Sequence, residues 1–186
     1  NFWSQKIDVH RLEIKRSSLN GKSYNYVTWK KTLLYPQKEG KLEINPMTLD
    51  VSIDVPTNRR DFFGNIIYTQ TSSKVSSNKK VVNVKSLPTE NKPEDFFGAV
   101  GDFNISLNSN KNELKATESF QVELKISGSG NLKLFSIPDL VTPKFIERND
   151  KEYSDNEKIG LYGMSGSNQN TYTLIPQYKG NYPIPP

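Results

Sequence analysis

The sequence contains no cysteine, one histidine (His10) and only two alanines (Ala99 and Ala116) in 186 residues. Without thiols it can form no disulfide, no Cys-ligated zinc site and no thiol nucleophile, and a single imidazole leaves little from which to build a His-dependent triad. Scarce alanine beside 19 Asn, 19 Ser, 11 Gly and 11 Pro starves helices and favours turns and strands, which excludes a helical bundle. No apolar run of about 18 residues occurs, and no basic-then-apolar amino terminus is present, so neither a membrane span nor a signal peptide is read from the chain. It starts at Asn1 rather than Met and stops in the Pro-rich Asn181–Pro186, which gives the expectation of a piece cut from a longer polypeptide.

What is present suits a folded β-protein. Val, Ile, Leu and Phe supply 48 residues for a core, and the charged fraction of 24% is that of a globular chain rather than a disordered one. The net charge of +5 divides unevenly: residues 1–87 carry 15 Lys/Arg against 7 Asp/Glu, and residues 88–186 carry 10 against 13. The basic residues are scattered, with short pairs such as Lys30-Lys31, Arg59-Arg60 and Lys79-Lys80. That spacing reads as a solvated face, and no nucleic-acid partner is expected.

Alternation is the clearest periodicity. Phe120, Val122, Leu124 and Ile126 recur at every second position with polar residues between them, the pattern of a half-buried strand. Leu49-Val51-Ile53-Val55 and Phe103-Ile105-Leu107 repeat it, as does Tyr24–Tyr35, where Val27, Trp29, Leu33 and Tyr35 would share one face. Asn20-Gly21 suits a two-residue hairpin turn, and Ser127–Asn131 reads as a loop. Leu34–Pro46 realigns with Leu174–Pro186 at a constant offset of 140 residues, sharing L-x-P-Q-x-x-G-x-x-x-I-x-P. Each copy reads as a strand ended by Pro, a turn at Gly and a second strand closed by Pro. The expectation is all-β: tandem immunoglobulin-like β-sandwich units, both incomplete, over residues 1–87 and 96–186, with a linker at 88–95 around Leu87–Pro93.

Few residues invite chemistry. His10 has Asp8 and Glu13 near it in sequence, but no nucleophile or oxyanion loop accompanies them, so it reads as a surface histidine. Asp150, Glu152, Asp155 and Glu157 lack the spacing of a calcium loop and read as a solvated loop, so no metal or cofactor is expected. Trp29 reads as core, and Trp3 lies beside Phe2 near the amino terminus. Arg59-Arg60-Asp61-Phe62-Phe63-Gly64 differs, because two cations, one anion and two adjacent aromatics share a loop. Adjacent aromatics on an extended segment point to opposite sides, so one of them is expected to stay exposed. Arg59, Arg60, Asp61, Phe62 and Phe63 are therefore the candidate interaction residues, in competition with a hairpin tip folded back on its own sandwich.

The motifs Phe97-Gly98-Ala99-Val100-Gly101-Asp102-Phe103, Ala116–Phe120, Gly128-Ser129-Gly130-Asn131-Leu132 with Leu134, and Pro138-Asp139-Leu140 together resemble the BatD (oxygen-tolerance, aerotolerance-operon) family. Arg59–Gly64 and the Pro-Gln-x-x-Gly motif fit the same resemblance. It implies an extracytoplasmic protein of tandem immunoglobulin-like domains, anchored to the membrane by segments outside this chain. Such proteins are encoded beside von Willebrand A-domain proteins and a MoxR-type ATPase and are regarded as interaction scaffolds, so the implied partner is a von Willebrand A-domain protein. In that setting Asp61 would reach a metal ion on the partner. No catalytic residues come with the family. The rival class is a carbohydrate-binding β-sandwich module, which would show a row of exposed aromatics.

Overall fold

A computed structural model describes residues 1–184 of the chain. The class is all-β, built of antiparallel sheets as β-sandwich units, with no α-helix among the described residues. Hence none is long and apolar enough to cross a membrane. Strand β1 (Phe2–Ile7) pairs with β4 (Lys31–Pro36), and β2 (Lys15–Leu19) pairs with β3 (Lys22–Tyr26). The β2–β3 turn is Asn20-Gly21, whose positive φ values of 51° and 78° match the twist of a tight hairpin.

The chain divides into two compact units, Asn1–Trp3 with Pro36–Pro88, and Ser4–Tyr35 with Thr89–Pro186. The longer segment of the first unit ends at Pro88, and the second unit resumes at Thr89. Residues 4–35, however, belong with the second unit, not with residues 36–87 as a linear division has it. Within the second unit the Tyr35 hydroxyl donates to the Gly130 carbonyl (2.8 Å) and accepts the Met164 N–H (3.0 Å).

In the first unit, β5 (Gly40–Ile44) pairs with β8 (Lys80–Val84), and β6 (Thr48–Arg60) pairs with β7 (Ile66–Ser76). Its core is thin: Leu42, opposite Val82, is its buried hydrophobic residue among those described. Alternation is visible in β6, where Leu49, Val51 and Val55 are half-buried, but Ile53 is exposed.

The second unit holds the larger sheet. Here β10 (Phe120–Gly130) lies between β9 (Gly101–Ser109) and β13 (Gly163–Pro176), and the far edge of β13 carries β11 (Ile146–Arg148) and β12 (Glu152–Gly160). The apolar row of β10 faces that of β13 with Phe120 opposite Leu174 and Val122 opposite Tyr172. These four residues form one buried cluster with Leu140 and Ile146, while Ile126, Leu132, Ile137 and Met164 are also buried. The sheet face is thus covered by the segment that runs from a short 3₁₀ turn (Leu132–Leu134) to β11. Asn131 fixes the start of that segment: its side chain donates to the Gly98 carbonyl (2.8 Å) and accepts the Val100 N–H (2.7 Å).

Four local expectations change. Ser127–Gly130 is not a loop but the end of β10, with Gly128 opposite Gly166. A Cβ on Gly128 would sit 2.0 Å from the Asp102 carbonyl oxygen, and one on Gly166 2.1 Å from that of Asn156, so these glycines permit close strand approach rather than a turn. Residues 24–35 are two strands, not one; residues 27–30 have no ladder, and Trp29 is 44% exposed instead of core. The acidic stretch is largely strand β12 rather than a loop, paired with β13 from Glu152 opposite Thr171. Residues 8–10 lie in chain beyond β1 that forms no strand, so Asp8 and His10 share no strand face, although their spacing by two would place them on one face of a strand.

The repeated motif matches through its first half. Pro36 ends β4 and Pro176 ends β13, and the next residue donates its N–H to a neighbouring segment, Gln37 to the Asn1 carbonyl (3.1 Å) and Gln177 to that of Phe145 (2.9 Å). Thereafter the copies diverge. Gly40 has φ of 97° and opens β5, whereas residues 180–184 form no strand. Pro185 and Pro186, the end of the second copy, lie outside the described residues.

Candidate functional site

The long β6–β7 hairpin carries the candidate residues at its tip. Its ladder is regular from Thr48 opposite Ser76 to Pro56 opposite Tyr68, then shifts register before Arg60 meets Ile66. Pro56 has no N–H to give to a ladder, so a bulge is the natural accommodation. Thr57 holds the bulge, its hydroxyl donating to the Ile67 carbonyl (2.7 Å) and accepting the Arg59 N–H (3.2 Å).

Beyond the bulge, Asp61–Asn65 close the turn around one carboxylate. Asp61 Oδ1 accepts the N–H groups of Phe63 (2.9 Å) and Asn65 (2.8 Å), and Oδ2 accepts the Asn65 side-chain amide (2.9 Å). The Asp61 N–H donates to the Asn65 carbonyl (2.9 Å), and the Gly64 N–H to the Asp61 carbonyl (3.0 Å). Arg60 Nη1 adds a bond to the Gly64 carbonyl at 2.7 Å. The Asn65 side chain, followed by its backbone N–H, holds the Asp61 carboxyl below its ordinary range. Asp61 thus builds the turn with both of its carboxylate oxygens.

This frame presents both rings to solvent. Phe62 is 97% and Phe63 84% exposed, packed edge to face with centroids 5.5 Å apart. Both rings project, where alternation required only one to do so. The tip is not folded back on its own unit. Arg59 and Arg60 are exposed beside them, so all five candidate residues come together at one place. Sequence reasoning missed Asn65 and Thr57. An Asp four residues before an Asn in a turn was the available signal for the first, because such side chains bond backbone N–H groups nearby.

Elsewhere the chemistry is structural. No group of three or more His, Asp or Glu side chains able to hold a metal ion occurs among the described residues. Within the acidic stretch, Glu157 has a nearly buried side chain lying 3.1 Å from Lys133 Nζ. A cleft in the second unit of about 1080 Å³ is lined in part by Ser109, Lys111, Leu114, Lys115 and Tyr182. The Ser109 hydroxyl in it donates to the Lys111 carbonyl, which does not activate it as a nucleophile.

Residues 107–186 match the family model described as BatD DUF11 like domain. These residues run from β9 to the end of the chain and include Gly128, Asn131 and Pro138-Asp139-Leu140, whereas the hairpin tip lies outside them. No curated protein and no solved structure matches the chain.

Proposed function

We propose that this chain, which carries a BatD-family domain over residues 107–186, is a non-enzymatic, extracytoplasmic part of an envelope scaffold linked to oxygen tolerance. In the proposal it is anchored to the membrane by segments outside the chain and docks a von Willebrand A-domain protein through Arg59–Phe63. The observation that carries the reading is the pair of exposed rings on a turn whose N–H groups at residues 61, 63, 64 and 65 are already bonded internally. Such a tip can be desolvated against a partner without leaving those donors unpaired, while aromatic and Arg side chains are the types that dominate interface energies. Because Asp61 is occupied within the turn, contact is apolar, with Arg59 and Arg60 steering by charge.

The test is binding of the chain to the A-domain partner with magnesium and with chelator. Loss of binding in Phe62→Ala and Phe63→Ala, with chelator having no effect, supports apolar docking. Loss with chelator would restore a metal bridge, and unchanged binding in every variant would remove this tip from the interface.

One observation favours the carbohydrate-binding alternative. Tyr24 and Tyr26 stand two residues apart on one face of β3, both about half exposed, with the exposed Trp29 following. Aromatic rings about 7 Å apart along a strand can stack on successive sugar rings. Calorimetry against soluble glycans, with Tyr24→Ala and Tyr26→Ala, decides that reading.

A further inference from the structure

Strand β7 is the longest of the three strands, with β2 and β3, whose every residue is exposed. Every one of its 11 residues is exposed, and its partner within the described residues is β6 alone. A two-stranded ribbon is marginal by itself, and an unpaired edge offers a row of N–H and C=O groups to any strand that can lie beside it. Natural edges are blunted by charge, proline, bulges or short length. β7 has no proline and a single charge, Lys74, and the irregularity of the hairpin lies in β6 between Pro56 and Arg60. Ile66, Ile67, Tyr68 and Val75 are all large exposed hydrophobic residues on it.

We propose that the free edge of β7 is a self-association surface. Two copies of the chain pair their β7 strands antiparallel about a two-fold axis at Thr71, giving a four-stranded sheet in the order β6, β7, β7, β6. The sequence of the strand carries the choice of a second copy as occupant. In that register Ile67 faces Val75 of the other copy, Tyr68 faces Lys74, Thr69 faces Ser73, and Gln70 faces Ser72. From Ile67 to Val75 the pairs are apolar with apolar, a cation beside an aromatic ring, and hydroxyl or amide with hydroxyl, each a favourable cross-strand pairing, and only the outermost, Ile66 with Ser76, is mixed. No charge meets its like. The outer strand β12 gives the opposite result, because pairing it with itself about Asn156 would set Asp155 against Glu157 twice. An isologous contact of this kind closes at two copies rather than growing into a fibre. Antiparallel pairing also sends the two Phe62-Phe63 tips to opposite ends of the new sheet. Self-association stands whether or not those tips dock a partner.

The chain has no cysteine, so an introduced thiol reports without interference. Thr71→Cys, which meets itself on the axis, should form a covalent dimer on mild oxidation, whereas Thr69→Cys, which meets Ser73, should not. Sedimentation velocity should show a concentration-dependent dimer for the native chain. Gln70→Lys with Ser72→Lys, and separately Gln70→Glu with Ser72→Glu, should each weaken it at least about tenfold by placing like charges opposite one another, and mixing the two variants should restore it. These positions are exposed, so a fold defect does not confound the result. A chain that stays monomeric at all concentrations, including one that binds a foreign strand there, overturns the proposal. So does a dimer indifferent to both charge variants, or cross-linking at Thr69→Cys in place of Thr71→Cys.

Discussion

Asp61 and Asn65 close the β6–β7 hairpin on each other. Asn65 gives both its backbone N–H and its side-chain amide to the Asp61 carboxylate, and its carbonyl accepts the Asp61 N–H in return. One residue pair thus satisfies most of the polar groups in a five-residue turn whose only other large side chains are two solvated rings. That pair sets the separation and angle at which the two rings are shown to solvent.

The pair gives the tip a defined pH range. The hydrogen bonds from Asn65 depress the folded-state pKa of Asp61, so the stabilisation is complete above the unfolded value near ~4 and fades as the pH falls through the lower folded value. The turn should be intact at pH 5 and open only well into acid. Amide exchange of Phe63 and Asn65 measures this, and Asp61→Ala should abolish their protection at every pH while leaving the rest of β6 and β7 protected.

Exposed rings make no packing contribution beyond their own edge-to-face contact. Phe62→Ala and Phe63→Ala should therefore leave the unfolding free energy within about 0.5 kcal/mol of the native value. Denaturant titration checks this, and a larger loss would mean the rings pack against the protein.

Glycines of the large sheet divide into two kinds. Gly128→Ala should destabilise by several kcal/mol, about 3 or more, since its Cβ would meet the Asp102 carbonyl oxygen at 2.0 Å and its φ of 150° disfavours a side chain. Gly160→Ala, with nothing within 4 Å of its Cβ, should change stability by roughly 0.5 kcal/mol or less. Paired urea melts of the two variants test the difference.

Tyr172 is fully buried, and its hydroxyl accepts the Leu140 N–H at 3.2 Å and the Asn170 side-chain amide at 3.3 Å. Tyr172→Phe keeps the ring but strips both donors of their acceptor, a loss of about 1–3 kcal/mol. A melt showing no change would mean that water replaces the hydroxyl.

Much of this architecture was legible because strand alternation reports burial directly. Phe120, Val122 and Ile126 were placed on the core face from period alone, and Asn20-Gly21 as a hairpin turn from its tolerance of positive φ. The failures share a cause: local signals do not reveal partners distant in sequence. Glycines at 128 and 130 read as a loop because their actual constraint is a carbonyl distant in sequence, that of Asp102 or Val100. Trp29 read as core because alternation says nothing about whether a neighbouring strand exists to pair with. Residues 4–35 group with residues far along the chain, and contacts so distant in sequence leave no trace in composition. The bonds that Asp61 makes within its own turn were not legible, because a carboxylate beside aromatics looks the same in sequence whatever its partners.

Asn131 has a mechanical consequence. Tension travelling along the backbone from Pro88 reaches Gly98 and Val100 before it reaches strand β9. There it meets the two side-chain bonds of Asn131 and the bond from its N–H to the Val100 carbonyl at 3.1 Å. These act as a clasp that takes load ahead of the β9–β10 ladder, so that a pull must break the clasp before it can begin to peel the sheet.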